Sequence, residues 1–166
     1  MSEHMNGHMS EQRQMLRHTV ATLAYRGAKA MRGAPAHFAD FHASEKTRTP
    51  AQLAGHIGDL LDWALSMALG KQEWHDSPAV EWDAGVQRFH AALEAFDAYL
   101  ASDQPLHVSA ESLFQGPIAD ALTHVGQLTM LRRLAGAPIR GENYFKADIA
   151  AGRVGADQKA AVREFD

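Results

Sequence analysis

The stretch WDAGVQRFHAALEAFDAYL, residues 82–100, decides the fold. Its large apolar residues recur alternately four and three positions apart. They are Trp82, Val86, Phe89, Leu93, Phe96 and Leu100. This period places all of them on one face of an α-helix, and that face must be buried against other helices. We predict a helix over residues 78–101 and assign its aromatic residues to a core rather than to a ligand cage.

Two further helices are predicted on the N-terminal side of this stretch. One spans residues 49–70, because Thr49, Pro50 and Gln52 form a capping box with proline at the first helical position. The other spans residues 10–32. Its apolar stripe includes Gly27, whose missing side chain allows a neighbouring helix to approach closely.

A fourth helix is predicted over residues 116–135. Gly116 and Pro117 open it, and Gly136 closes it. Arg132 and Arg133 occupy its last turn, where cations complement the helix dipole. No segment alternates between apolar and polar residues over the length of a strand.

Four amphipathic helices without strands predict an all-α fold, an antiparallel four-helix bundle over residues 10–140. We expect a flexible N-terminal tail at residues 1–9. The segment 141–166 is irregular, and we expect it to pack on the bundle as a C-terminal extension that ends in a short helix at 158–165.

Composition narrows the functional classes. The chain has 166 residues, a net charge of -4 and a pI of about 6.2, with no run of Lys or Arg, so we expect no nucleic-acid partner. No apolar stretch approaches the roughly 20 residues of a membrane helix, and the start lacks a signal peptide, so we expect a cytoplasmic protein. There is no cysteine. A metal site would therefore use His, Asp or Glu.

His124 is the residue that points to chemistry. It falls near the centre of the apolar stripe of the fourth helix, with Asp120 one turn before it. His56 flanks the stripe of the second helix. Residues at i and i+4 can reach one ion, and a third ligand from a facing helix leaves open positions for a substrate. Zn²⁺, Ni²⁺, Fe²⁺ and Mn²⁺ all accept such ligands. Alternatively, Asp120 orients His124 by a hydrogen bond in a purely structural polar pair.

Two motifs resemble the DinB/YfiT-like family of bacterial four-helix bundles. They are TPAQLAGHIGDLLDWAL at residues 49–65 and THVGQLTMLRRLAG at 123–136. In many members three histidines hold a metal, one on the second helix and two at i and i+4 on the fourth. By position they become His56, Asp120 and His124, so an aspartate replaces the first histidine of the fourth-helix pair. The resemblance implies a homodimer with a divalent metal, Zn or Ni first and Fe or Mn next.

The family also suggests a function. Its characterised members include thiol-dependent S-transferases and an isomerase that uses a low-molecular-weight thiol. We therefore expect a DinB-like metal-binding protein, a metal-dependent enzyme acting on a small molecule, of thiol-dependent S-transferase or hydrolase type. The alternative is a noncatalytic dimeric helical bundle whose His/Asp cluster is structural.

The long loop at residues 33–48 is a candidate lid. We expect the metal site near one end of the bundle, where the second and fourth helices both begin and where this loop arrives. The loop residues that could cover the site are His37, Phe38, Phe41 and His42. The alternative is that the aromatic residues only anchor the loop. Tyr25, Arg26 and Tyr144 are further candidates to line the opening.

Overall fold

The computed structural model describes residues 3–165, with side chains from residue 11, and is mostly helical. Its helices are α1 (Glu3–Met31), α2 (Pro50–Ala68), α3 (Trp82–Ala101), α4 (Ala110–Leu113) and α5 (Ala119–Leu134). A π-helical turn, Phe114–Ile118, joins α4 to α5. Short 3-10 turns lie at Ala36–Phe38 and Tyr144–Lys146, and two strands pair, β1 (Gly141–Glu142) and β2 (Glu164–Phe165). The all-α class is confirmed at this level.

The helix boundaries follow local signals where those signals are strong. At α2 the capping box is present: Thr49 Oγ1 accepts from the Gln52 N–H at 3.2 Å, and Gln52 Oε1 accepts from the Thr49 N–H at 2.9 Å. Helix α3 begins at Trp82 rather than at residue 78. Helix α1 begins at Glu3, inside the segment predicted as a tail, while residues 1–2 lie outside the described part of the chain.

The core lies between α1, α2, α3 and α5. Helices α1 and α2 each pack against both α3 and α5. The buried apolar residues of these helices include Leu16, Val20, Leu23, Leu53, Ile57, Leu60, Phe89, Leu93, Phe96, Leu100, Ala121 and Leu128. Within the described residues, no helix is both long and apolar enough to cross a membrane.

Gly27 allows the close contact between α1 and α3, as the sequence predicted. A β-carbon added at Gly27 would overlap the ring of Phe89, with Cε1 only 2.9 Å away. Phe89 is fully buried, so its ring has little room to move. The approach of the two helices therefore requires glycine at this position.

We expect Gly27→Ala to lower the free energy of unfolding. Overpacking a core costs about 1–3 kcal/mol, and alanine recovers up to about 1 kcal/mol through its helix propensity. Gly126→Ala in α5 is the matched control, because an added β-carbon there meets nothing within 4 Å. We expect that variant to be as stable as the parent or more stable. Urea denaturation of both variants measures the difference, and equal stabilities would show that the α1–α3 contact tolerates a methyl group.

The fourth helical segment begins earlier than predicted. Its start is Ala110, capped by the Ser109 side chain, and not Gly116-Pro117. Pro117 lies inside the run because the chain adopts a π-helical turn there, in which the Ala119 N–H reaches back to the Phe114 carbonyl. Proline has no N–H to donate, and a π-helical turn accommodates that loss without ending the helix. Asp120 therefore lies about three turns into the run rather than in its first turn.

Helices α2 and α5 run in opposite directions. Leu53, near the start of α2, shares a surface depression with Leu131 and Leu134 at the end of α5. Trp63, near the end of α2, shares another with Gly116 and Ala119. The starts of the two helices therefore do not meet. The expectation that the site lies where both helices begin is wrong, because it assumed that the two helices run in the same direction.

The C-terminal segment packs on α1 but does not end in a helix. The helix predicted at residues 158–165 is absent, and β2 pairs antiparallel with β1 instead. The Gln158 side chain donates to the carbonyls of Arg153 and Gly155, which holds a turn where the helix was expected. A helix of two turns is marginal by itself, and the strand pairing replaces it.

Candidate metal centre

His56, Asp120 and His124 lie together. Each offers one ligand atom, and these atoms all lie within 4.8 Å of one another. His56 comes from α2, and the other two come from α5, one turn apart. The rings of His56 and His124 meet edge to face, with centroids 4.7 Å apart and planes at 82°. Residues from two helices that are distant in the sequence therefore form one group that could hold a metal ion.

The spacing of the α5 pair suits a shared ion. His124 Nε2 lies 3.4 Å from Asp120 Oδ1. Two ligands, each about 2.1 Å from a tetrahedral ion, stand roughly 3.4 Å apart. The donor set also fits, since two imidazoles and a carboxylate are ligands that Zn²⁺ and Fe²⁺ accept in sites with open positions.

Gln127 fixes the orientation of His124. His124 Nδ1 lies 2.8 Å from Gln127 Oε1. An amide oxygen only accepts, so Nδ1 donates in this hydrogen bond, and in the neutral imidazole Nε2 then carries the lone pair. That lone pair faces Asp120 and His56. An outer partner of this kind sets both the tautomer and the direction of a metal-binding histidine.

We expect Gln127→Leu to weaken Zn²⁺ binding by about 10–100-fold, the usual effect of losing the partner of a ligating histidine. Gln127→Glu is the matched control, because it keeps an acceptor at the same place. Gln127 is exposed, so neither change should impair folding. Titration against a chromophoric chelator at pH 7 measures the affinity. Equal affinities for the leucine variant and the parent would mean that Gln127 does not orient the ligand.

His56 is kept in the form that binds metals. Partial burial lowers its pKa below the usual range, and the positive charge of Arg48 and the neighbouring His124 ring add to this effect. The carboxylates of Asp120 and Asp59 oppose the shift without cancelling it. A lowered pKa leaves the imidazole neutral at neutral pH, with a lone pair for an ion.

Aromatic residues cover one side of His56. The Trp74 ring meets the His56 ring edge to face at 5.7 Å, and Trp63 meets Trp74 in the same way at 5.8 Å. Trp74 Nε1 donates to Asp76 at 3.1 Å. The loop after α2 therefore contributes to the surroundings of the centre.

Two open depressions flank the centre. One, of about 510 Å³, is lined by His124 and Gln127 together with residues of the 33–48 loop. The other, of about 410 Å³, is lined by Asp120 and Trp63. Asp120 has 49% of its side chain exposed, whereas His124 has 11%. A small molecule can thus approach the group from either side.

The predicted lid residues do not form a lid. Phe38 is fully buried and packs edge to face on Trp82 at 5.4 Å. Phe41 is half-buried and packs against the same core. His37 and His42 are exposed, and neither lines the depression beside His124. The alternative, aromatic residues that anchor the loop, is correct, because burial of the rings outweighs any role at the opening.

The other candidates for the opening lie elsewhere. Tyr25 is buried and donates to Glu142 at 2.5 Å. The Arg26 guanidinium stacks on the Tyr144 ring at 4.1 Å, and both residues line a separate depression formed with the C-terminal segment. The C-terminal segment does fold back onto α1, but it lies away from His56 and His124.

Sequence reasoning assigned no role to several residues around the centre. Gln127 lies three positions after His124, a spacing that already indicates contact on a helix. Lys46 and Arg48 belong to an irregular loop, so no periodicity could place them. Trp74 follows α2 in another irregular segment, and only the folded path of the chain brings it to His56.

Comparison of the chain with protein-family models, with curated proteins and with solved structures gave no match.

Proposed function

We propose that this chain is a DinB/YfiT-like antiparallel four-helix bundle in which His56, Asp120 and His124 bind one divalent ion, Zn²⁺ or Ni²⁺ first and Fe²⁺ or Mn²⁺ next. The observation that carries the proposal is the convergence of three ligand atoms, from two helices, within 4.8 Å. Gln127 supports it, because it leaves the Nε2 lone pair of His124 directed at the group.

We further propose that the protein is a metal-dependent enzyme acting on a small molecule, as a thiol-dependent S-transferase or a hydrolase. A divalent ion held by three protein ligands supplies a positive charge that acidifies a thiol or water and polarises the substrate. The chain has no cysteine, so the thiol would be a cosubstrate. The open depressions beside Asp120 and His124 support access for such molecules.

The test uses protein purified without an affinity tag and stripped with a chelator. We expect Zn²⁺ or Ni²⁺ to raise the melting temperature by about 5–10 °C when the free ion exceeds Kd about 100-fold. Excess chelator should reverse the rise. Mg²⁺ is the matched control, because it prefers an octahedral set of oxygen ligands. Unchanged melting with every divalent ion would contradict the proposal.

The second candidate is a noncatalytic bundle whose polar cluster is structural. The observation in its favour is that Gln127 and Asp120 both already contact His124, so the histidine has partners without an ion. It predicts no response to metals. Both candidates include a homodimer, which light scattering after size-exclusion chromatography measures directly.

A further inference from the structure

We propose that the small molecule handled at this centre is a carboxylate with an apolar body, and that Lys46 and Arg48 bind its carboxylate. The inference rests on the proposed function, since it names the substrate class of the same site. Its basis is the depression beside His124, where cationic and apolar side chains stand together.

The cationic side of the depression comes from the 33–48 loop. Lys46, Thr47 and Arg48 line it in succession, directly before the Thr49 cap of α2. His124 and Gln127 line the same depression, so a molecule bound there lies beside the candidate centre. Its volume of about 510 Å³ is within the range of small-molecule sites, roughly 300–1,000 Å³.

Lys46 and Arg48 differ from three cations on the helices that are held by acidic side chains. Arg17 pairs with Asp97, Lys29 with Glu142, and Arg88 with Asp59. None of the ion pairs found among the described side chains involves Lys46 or Arg48. Both side chains are exposed to solvent. In a protein of net charge -4, this is a local excess of positive charge at the mouth of one depression.

The rest of the depression is apolar. Leu53 and Leu131 form its base, and Met130 and Leu134 are its exposed wall, with 54% and 57% of their surfaces open to solvent. Met130 and Leu134 are one turn apart on α5, so they present a continuous apolar strip. A ligand that fits has an anionic end near the loop and an apolar body along α5.

A carboxylate is the anion that these two side chains suit. The Arg48 guanidinium presents paired N–H donors that match a carboxylate, while the Lys46 ammonium adds a point charge. A neutral amide of the same shape cannot form these charge-assisted bonds. Comparing a carboxylate with the neutral amide of the same shape therefore isolates the contribution of charge.

The experiment compares 3-phenylpropionate with 3-phenylpropionamide as probes, by calorimetry or ligand-detected NMR. Both metal-free and Zn²⁺-loaded protein are used. The test variant is Lys46→Gln with Arg48→Gln. The matched control is Lys71→Gln with Lys159→Gln, which removes two exposed lysines that do not line the depression. All four positions are exposed, so each variant should fold, and its melting temperature checks this.

We expect the metal-free parent to bind the carboxylate about tenfold or more tightly than the amide. The test variant should lose that preference, and the control should stay within about twofold of the parent. Equal binding of the two probes, binding of neither, or a preference that survives in the test variant would overturn the inference. A preference seen only with Zn²⁺ and insensitive to the test variant would also overturn it, because the ion would then be binding the carboxylate.

Failure of the proposed function is separable from failure of this inference. If the protein prefers the carboxylate through Lys46 and Arg48 but does not respond to Zn²⁺ or Ni²⁺, the result supports the anion site and contradicts the metal centre. If Zn²⁺ stabilises the protein but the protein shows no preference between the probes, the result supports the metal centre and contradicts the anion site.

Discussion

Replacement of His124 by alanine is expected to lower Zn²⁺ affinity by at least about a hundredfold. Losing a ligand removes a metal bond, and this costs more than the 10–100-fold loss that follows removal of an outer partner. His124 is the most buried of the three residues and has Asp120 and Gln127 on its two ring nitrogens. Among the described residues, no other group of His, Asp or Glu side chains is placed to hold an ion.

His56→Ala should have a similar effect, and His18→Ala is the matched control, since His18 lies exposed on α1. Each variant is titrated with Zn²⁺ against a competing chelator at pH 7 and melted without metal to verify folding. If all three variants bind Zn²⁺ like the parent, the ion binds elsewhere in the chain and the centre is not a metal site.

Asp120→His tests whether Asp120 binds the metal ion directly or only lies beside His124. Imidazole suits Zn²⁺ and Ni²⁺ better than a single carboxylate oxygen does, so this variant should bind both ions more tightly. The side chain is half exposed, which leaves room for the larger ring. Unchanged affinity would mean that Asp120 acts on His124 from outside the coordination sphere.

Glu142→Gln is expected to lower the free energy of unfolding by about 2–4 kcal/mol, because it leaves the buried Lys29 ammonium short of a countercharge. Glu142 has no exposed side-chain surface. It accepts from Tyr25 at 2.5 Å and from Lys29 at 2.8 Å. Burial and the bond to Glu142 hold the pKa of Tyr25 well above its usual range, so the phenol stays protonated and donates.

Two controls accompany this variant in urea denaturation. Lys29→Met with Glu142→Met removes both charges and should be less destabilised than the single variant. Glu164→Gln should cost less than Glu142→Gln, because Glu164 is partly exposed and shares Lys29 at 2.9 Å. Burial alone would lower the pKa of Lys29, but the two carboxylates raise it, so the charge persists. A Glu142→Gln variant as stable as the parent would show that Glu164 alone satisfies Lys29.

The helices could be predicted from the sequence because their signals are local. The stripe from Phe89 to Leu100 fixes one buried face, and the Thr49 box fixes one start. The same periodicity placed His124 and Asp120 on one side of their helix and His56 beside the stripe of the second helix, and the resemblance to the DinB/YfiT-like motifs grouped the three. The convergence of the three therefore needed only two helices facing each other.

What could not be predicted depends on the path of irregular chain. The π-helical turn has no periodic signature, so the sequence predicts Pro117 at a helix start, whereas the residue lies inside the helical run. The burial of Glu142 depends on Lys29, more than a hundred positions earlier, and on a strand of two residues. Phe38 looked like a lid residue because a loop sequence does not reveal which of its rings reach the core.

The length of the turn at Phe114–Ile118 has a consequence for how such a centre can be gained or lost. Each helical residue advances the azimuth by about 100°, so a chain one residue shorter here would rotate the two flanking segments against each other by that amount. Either α4 would lose its packing contacts, or Asp120 and His124 would turn away from His56. A deletion could thus abolish metal binding although all three ligand residues are still present, and an insertion could restore it. Among relatives of this chain, gaps at this turn would then be as informative as changes at the ligands.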